Sequence, residues 1–245
     1  VDDYVTIPMQ DQSFLESEFS ISLYLKNYSN PTGTIFTNIK DNTWGYVEIR
    51  RSNTNNSYPN RMVVLLTDVT GFPNYTFGDL EFSYDLNQWF YVTLVGNGEN
   101  GEYLFYKNGV LQSSFTNNQI NNLSNDFGYF TLMNNYFQLE DFQEFSDGAI
   151  DHLEIWNRAL TPDEIISNMY TEFTGNENGL IGYWNFNEGS GMTITDHTGN
   201  GNDGTINGAT WSTDVPFANY NGNFMWQTTS DLNNDFDRED VSFRL

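Results

Sequence analysis

The chain has 245 residues, of which 33 are acidic and 9 basic, so its formal net charge is -24. This charge repels polyanions, which excludes nucleic acids and anionic membrane surfaces as expected partners, whereas cations are attracted. The absence of cysteine excludes disulfides, thiol catalysis and cysteine-based zinc sites. The acidic residues serve either solubility alone or, in part, the binding of calcium.

Short runs of alternating apolar and polar residues in the first part of the chain predict half-buried strands. The clearest is EFSISLYLK, where apolar residues stand at every odd position from 19 to 25. The strands predicted in this part are residues 3–8, 18–26, 34–38, 44–50 and 61–67. Residues 68–78 contain Gly and Pro and are predicted to be an exposed loop, whose aromatic residues either face a ligand or pin the loop to the body.

The middle of the chain continues with hairpin signals. Asn108-Gly109 lies between two apolar runs and predicts a type I′ turn, since both residues tolerate positive φ. The strands predicted in this part are residues 88–95, 102–107, 127–133 and 149–156. In the last of them, strict alternation places Asp151 and Glu154 on opposite faces.

One short helix follows the last of these strands. Thr161 is the predicted N-cap, Pro162 occupies the first helical position, and Glu164 completes a capping box, with the helix running to Tyr170. About ten strands with a single helix indicate an antiparallel sandwich.

Three segments together resemble the laminin-G-like, concanavalin A-like family of jelly-roll domains. DGAIDHLEIWNRALTPDEII resembles the segment that closes such domains, and WFYVTLVGNGENGEYLFYKNGVLQSS resembles their central hairpins. LIGYWNFNEGSGMTITDHTGNGNDGTINGATW resembles their opening. The resemblance implies an all-β, antiparallel two-sheet jelly-roll sandwich of the concanavalin A-like type, with one short helix.

The opening-like segment, residues 180–217, stands after the closing-like one. It either begins a following repeat of a tandem array or folds back onto residues 1–175 as a circularly permuted sandwich. We expect the second, because isolated opening strands would leave Leu180, Tyr183, Trp184 and Phe186 without an apolar partner. The predicted domain is therefore residues 1–217, followed by an acidic extension, residues 218–245. Because the chain begins at Val1, we expect it to be part of a longer or processed protein.

The family resemblance implies a calcium ion shared by Asp151 and Asp196. Asn200, Asp203 and loop carbonyls offer further oxygen ligands, and the glycines of this loop allow tight wrapping around a hard cation. The alternative is that Asp196 and Asn200 form Asx turns while Asp203 pairs with a backbone amide.

The same resemblance implies that rim loops bind glycans or proteins. Residues 134–146 are the best candidate loop, because aromatic rings that could stack on sugars stand there beside carboxylates that could accept bonds from hydroxyls. The candidate ligand-binding residues are Tyr136, Phe137, Glu140, Asp141 and Phe142. The alternative is an inserted loop that covers the sheet edge.

Catalysis is not expected. Retaining glucanases on this fold resemble one another in an E-x-D-x-x-E strand, and the nearest match runs from Ala149 to Glu154 without the first carboxylate. Asp151 and Glu154 would need a bulge to converge. The two histidines, His152 and His197, are not accompanied by a G-x-S-x-G nucleophile motif.

These observations predict a non-catalytic carbohydrate-binding or adhesion module with structural calcium, secreted or at the surface of a bacterial cell. Its expected partner is a glycan or a cell-surface protein, with no nucleic acid and no direct membrane insertion. Neighbouring repeats of the parent chain are possible partners. The alternative function is a structural or self-associating repeat of a surface adhesin or filament, and a glycoside hydrolase is a less favoured one.

Overall fold

The structure is a computed structural model. It describes residues 3–29, 33–38, 46–52, 60–67, 75–97, 99–116, 123, 128–135, 144–145 and 147–216. The predicted ligand-binding residues of the loop 134–146, and the predicted extension 218–245, lie outside these ranges and stay predictions. The boundaries of the predicted domain, residues 1–217, also stay a prediction.

The described chain is almost entirely β-structure. Its strands are β1 (Tyr4–Pro8), β2 (Glu18–Asn27), β3 (Gly33–Thr37), β4 (Tyr46–Ser52), β5 (Arg61–Thr67), β6 (Tyr75–Ser83), β7 (Trp89–Asn97), β8 (Glu102–Lys107), β9 (Val110–Thr116), β10 (Tyr129–Leu132), β11 (Asn134–Asn135), β12 (Glu144–Phe145), β13 (Gly148–Trp156), β14 (Leu180–Trp184), β15 (Thr193–Ile194) and β16 (Gly204–Asn207). A 3₁₀ helix (Ser13–Glu16) and one α-helix, α1 (Pro162–Asn168), complete it.

Two sheets form a sandwich. The eight-stranded sheet has the order β15-β16-β1-β10-β3-β4-β5-β6, and the six-stranded sheet has the order β14-β13-β2-β7-β8-β9. β11 and β12 pair separately. Every described pairing is antiparallel, which confirms the predicted all-β, two-sheet sandwich.

Alternation along the strands explains how the sandwich closes. In β2, Phe19, Ile21 and Leu23 face the core between the sheets and are fully buried. Tyr24 faces the other way, into a second apolar cluster that α1 covers with Ile165. The six-stranded sheet is thus buried on both faces over this region, as successive strand residues point to opposite sides.

Strands from the two ends of the described chain lie side by side in both sheets. β14 pairs with β13, where Trp184 stands opposite Leu153. β16 pairs with β1, where Ile206 stands opposite Val5. Trp184 is fully buried in the main core. The segment that resembles a domain opening therefore supplies strands to the same sandwich as the preceding residues.

The start of α1 has the predicted geometry. Thr161 Oγ1 accepts a hydrogen bond from the Glu164 amide at 3.3 Å, and Glu164 Oε2 accepts one from the Thr161 amide at 2.9 Å. This reciprocal pair satisfies two amides that a helix start leaves without partners, which confirms the predicted capping box.

Two local predictions were wrong. Residues 75–78 were predicted as a loop but begin β6, because the edge of β5 offers backbone partners to them. Gly78 and Asp79 are extra residues in this pairing and form a bulge between Phe77 and Leu80. In β13 a bulge interrupts the strict alternation: Asp151 stands opposite Tyr24, whereas Glu154 stands opposite Ser22. Since Tyr24 and Ser22 are two residues apart, Asp151 and Glu154 share one face.

Candidate functional site

A cleft of about 440 Å³ opens where β14 ends. The register of β14 covers only Leu153 to Trp156, so the first half of β13 has a neighbouring strand on one side only. The walls of the cleft come from this half of β13, from β1, from β16 and from residues 209–215. We call residues 209–215 the strap. Both ends of the described chain thus contribute to one concave site.

Among the described residues, five aromatic ones line the cleft, and they come from distant parts of the sequence: Tyr4, Tyr28, Trp89, Phe186 and Trp211. Hydrogen bonds fix the two indoles in place. Trp89 Nε1 donates to Asp214 Oδ1 at 3.1 Å, and Trp211 Nε1 donates to the Gly191 carbonyl at 2.9 Å. Tyr28 is 36% exposed. Rings held in this way offer preformed apolar faces to a ligand.

Four aspartates line the same cleft: Asp3, Asp147, Asp151 and Asp214. Asp151 is the least exposed of them, and burial raises its pKa to about 7. Near neutral pH this carboxyl group can therefore either accept a hydrogen bond or, when protonated, donate one. Of the predicted metal ligands, Asp151 lines the cleft, whereas Asp196, Asn200 and Asp203 are not among its lining residues.

Asp214 fastens the strap to the six-stranded sheet. Its Oδ2 accepts from Lys26 Nζ at 2.6 Å and from the Tyr28 hydroxyl at 3.4 Å, while Trp89 binds Oδ1. The hydrogen bond from Lys26, together with that from Trp89, holds the pKa of Asp214 below its usual value. Asp214 is therefore ionised at neutral pH.

Arg51 contacts the backbone next to the cleft. Its side chain is fully buried, and Nη1 donates to the Ser29 carbonyl at 2.9 Å and to the Asp147 carbonyl at 3.1 Å. Burial lowers the pKa of the guanidinium from its usual value. Arg51 does not line the cleft, and its two hydrogen bonds join Ser29 to Asp147, the residue before β13.

The predicted calcium loop is closed by its own hydrogen bonds. Asp196 Oδ1 accepts from the Tyr183 amide at 3.3 Å, and from the amide and hydroxyl of Thr198 at 3.0 and 2.7 Å. Its Oδ2 accepts from the amide and side chain of Asn202 at 3.2 and 3.0 Å. The carboxylate therefore locks this turn against β14.

The other two predicted ligands of this loop also take part in the turn. Asp203 Oδ1 accepts from the Asp196 amide at 2.9 Å, and Asn200 Nδ2 donates to the Ile181 carbonyl at 3.0 Å. Calcium needs six to eight oxygen ligands, and Asp196 could serve only by giving up its present donors. No group of three or more His, Cys, Asp or Glu side chains suited to a metal occurs within the described ranges. These donors do not fit calcium as they stand, and the calcium site stays a prediction.

The bulge in β13 brings Asp151 and Glu154 to one face, but it does not make a catalytic pair of them. Glu154 is fully buried. Its Oε1 accepts from the Tyr91 hydroxyl, and its Oε2 accepts from Trp156 Nε1 at 2.7 Å and Asn168 Nδ2 at 3.0 Å. Glycoside hydrolysis requires two carboxyl groups that both reach the substrate, and Glu154 cannot do so.

His152 packs beside this carboxylate at the bulge. It adopts a positive φ of 52°, and its Nε2 lies 3.3 Å from Glu154 Oε1. Its Nδ1 lies 3.4 Å from the Tyr183 hydroxyl, and its ring meets those of Tyr183 and Phe173. His152 is thus part of the buried network under α1.

A family model and several solved structures match this chain. The family model of the concanavalin A-like lectin/glucanases superfamily matches residues 1–166. No curated protein matches the chain in sequence. Within the described residues, no helix has the length and apolar character needed to cross a bilayer.

Solved structures share the fold at low sequence identity. A protein from Bacteroides ovatus ATCC 8483, described as a candidate carbohydrate binding protein, is 18% identical with a TM-score of 0.67, over 88% of this chain and 60% of that one. The binding domain of botulinum neurotoxin DC, solved with SialylT and with rat synaptotagmin II, is 18% identical with a TM-score of 0.52. That match covers 70% of this chain and 40 to 41% of the neurotoxin chains. The chain thus spans less than two thirds of the length of these structures.

Proposed function

Because the chain belongs to the concanavalin A-like lectin/glucanases superfamily, we propose that it is a non-catalytic carbohydrate-binding or adhesion module of an extracellular protein. We further propose that it holds its glycan in the cleft beneath the strap. The observation that carries this proposal is the joint lining of the cleft by aromatic residues, two of them indoles held by hydrogen bonds, and by aspartates. The description of the Bacteroides ovatus protein as a candidate carbohydrate binding protein supports it.

The chemistry of the cleft suits a saccharide. The apolar faces of pyranose rings can stack on Trp211, Phe186 and Tyr28, while hydroxyl groups donate to the aspartates. A volume of about 440 Å³ falls within the range of small-ligand sites and accommodates a few sugar units. Since Glu154 is sealed under α1, Asp151 has no partner on its strand for acid–base hydrolysis.

A binding screen against oligosaccharides tests the proposal, with Trp211→Ala as the site variant. Loss of the Trp211 ring should weaken binding by about tenfold, which corresponds to roughly 1.4 kcal/mol. Leu111→Ala removes an exposed apolar side chain of β9 outside the cleft and serves as the control. Absence of binding to every saccharide, or equal weakening by both variants, would contradict the proposal.

The proposal does not depend on calcium, and chelation tests the calcium prediction separately. Because internal donors already occupy both oxygens of Asp196, we expect the same melting temperature with calcium and with a chelator. A melting temperature that rises with calcium, and no longer does so in Asp196→Asn, would show that the loop opens to take the ion.

A further inference from the structure

The charge of the cleft is one-sided. Among the described residues that line it, four are aspartates and none is Lys, Arg or His. Asp147 precedes β13 and Asp151 lies within it, Asp3 precedes β1, and Asp214 comes from the strap, so three separate segments supply the carboxyl groups. Any ligand that enters therefore meets carboxylate groups from several directions.

Two described cations contact residues that line the cleft, and neither of them lines it. Lys26 is held by Asp214 at 2.6 Å, and that contact uses one of the four carboxylates. Arg51 is fully buried behind Asp147 and reaches only backbone carbonyls with Nη1. The remaining negative charge lies on Asp3 and Asp147, which are exposed, and on Asp151, which is half-buried. Together these carboxyl groups repel an anionic ligand.

We propose that the cleft selects among saccharides by charge, accepting neutral and amino-bearing sugars and rejecting sugars that carry a carboxylate. This inference rests on the proposed function, because it concerns the ligand of the same cleft. Neutral hydroxyl groups satisfy the carboxylate acceptors, and a protonated amine adds attraction. A carboxylate on the sugar would lose its hydration next to like charges without gaining a cationic partner.

The aromatic lining and the acidic lining contribute differently. Stacking on Trp211 and Phe186 favours any pyranose ring and gives affinity without regard to charge. The aspartates decide which substituents are tolerated. Removing a carboxylate should therefore reduce the preference for neutral over carboxylate-bearing sugars, with a smaller effect on the affinity for a neutral sugar. Removing an aromatic ring should instead weaken the binding of all sugars by a similar factor.

The test uses the best neutral oligosaccharide from the binding screen and two matched counterparts of the same length and linkage. One counterpart is oxidised to a carboxylate at C6, and the other carries a free amine at C2. Calorimetric titration of the whole chain should show binding of the neutral and amino forms, with the oxidised form at least tenfold weaker. Raising the salt concentration should reduce the advantage of the amino form, because salt screens the attraction.

Variants of two exposed lining residues test whether the carboxylates of the cleft cause the charge selectivity. The double variant Asp3→Asn with Asp147→Asn should strengthen binding of the oxidised form by about threefold or more relative to the neutral form. Asp163→Asn, in the first turn of α1 and outside the cleft, should change neither.

The outcomes separate this inference from the proposed function. If the oxidised form binds as tightly as the neutral one, or if the screen yields only carboxylate-bearing binders, charge selection is wrong and carbohydrate binding stands. An unchanged preference in the double variant also overturns the inference. If no saccharide binds, both proposals are wrong.

Discussion

Glu154 shows how one residue can look catalytic in sequence and be structural in the fold. It lies three residues after Asp151, as in a carboxylate motif, yet its side chain has no exposure. Its Oε2 joins Trp156 on the strand to Asn168 on α1, and its Oε1 meets Tyr91 on β7. Burial and the nearby carboxylate raise the pKa of Tyr91 well above its usual value, so the phenol donates. One carboxylate thus ties α1 to two strands.

Glu154→Gln tests this structural role. An amide cannot accept from all the donors around it, and one buried donor is left without a partner, so the free energy of unfolding should fall by about 2 kcal/mol. Urea denaturation measures it, with the exposed Glu99→Gln as the control. Saccharide binding by the folded variant should be unchanged. Normal stability with lost binding would instead indicate that Glu154 contacts the ligand.

Among the features of single strands and helices, the sequence predicts capping and turn residues well. Thr161 and Glu164 act within one helical turn, and Asn108 and Gly109 adopt the positive φ of 49° and 75° that their turn requires. Such features depend on neighbours in sequence. The bulge in β13 depends instead on how β2 and β14 pair across it, so alternation alone could not reveal it.

The Glu164 cap gives a prediction for pH. Hydrogen bonds from Arg158 and from the Thr161 amide lower the pKa of Glu164 from 4.5 to about 2. A lowered carboxyl pKa stabilises the fold above pH 4.5, and this contribution is lost as the pH falls from 4.5 towards 2. Glu164→Ala should therefore cost about 1 kcal/mol at neutral pH.

Chemical denaturation at several pH values measures the effect. The stability difference between the wild-type chain and Glu164→Ala should shrink below pH 4.5 and become small near pH 2, where about half of the cap is protonated. The exposed Glu172→Ala, beyond α1, is the control. A difference that stays constant over this range would contradict the assigned cap.

Asp214 joins the strap to the six-stranded sheet. Asp214→Ala removes one hydrogen-bond acceptor from Lys26 and one from Trp89. Exposed ion pairs contribute about 1 kcal/mol or less, so global stability should change little. Saccharide affinity should fall several-fold, because the end of the strap around Asp214 loses its attachment to the sheet and one lining carboxylate is removed. Calorimetry beside thermal melting measures both, and unchanged affinity would show that the strap is not part of the site.

At the scale of the whole molecule, the sandwich depends on contacts between distant segments. Trp184 and Ile206 from the last strands pack with Val5 and Leu153 in the main core. A chain that ends at residue 179 would leave β13 and β1 with exposed edges and open the core. We expect this truncated chain to lose cooperative unfolding and to bind a hydrophobic dye. The full chain should unfold cooperatively and should not bind the dye. A sharp transition near that of the full chain would contradict the shared core.

The same long-range order explains which parts of the site the sequence could predict. The fold class followed from alternating strands and family motifs, whereas Asp151 was predicted as a calcium ligand and not as part of a cleft. The cleft was missed because Tyr28, Trp89 and Trp211 lie far apart in sequence and meet only after both sheets form. The apolar residues in the segment 180–186 indicated that this segment packs against another part of the chain. They did not indicate that the residues after it would form a wall of the cleft.

A crystal structure of the chain with the best oligosaccharide from the screen would show where the sugar binds. We expect sugar rings between Tyr28 and Trp211, with hydroxyl groups on Asp147 and Asp151. Sugar bound elsewhere, for example at residues 136–142, with the cleft beneath the strap left empty, would contradict it.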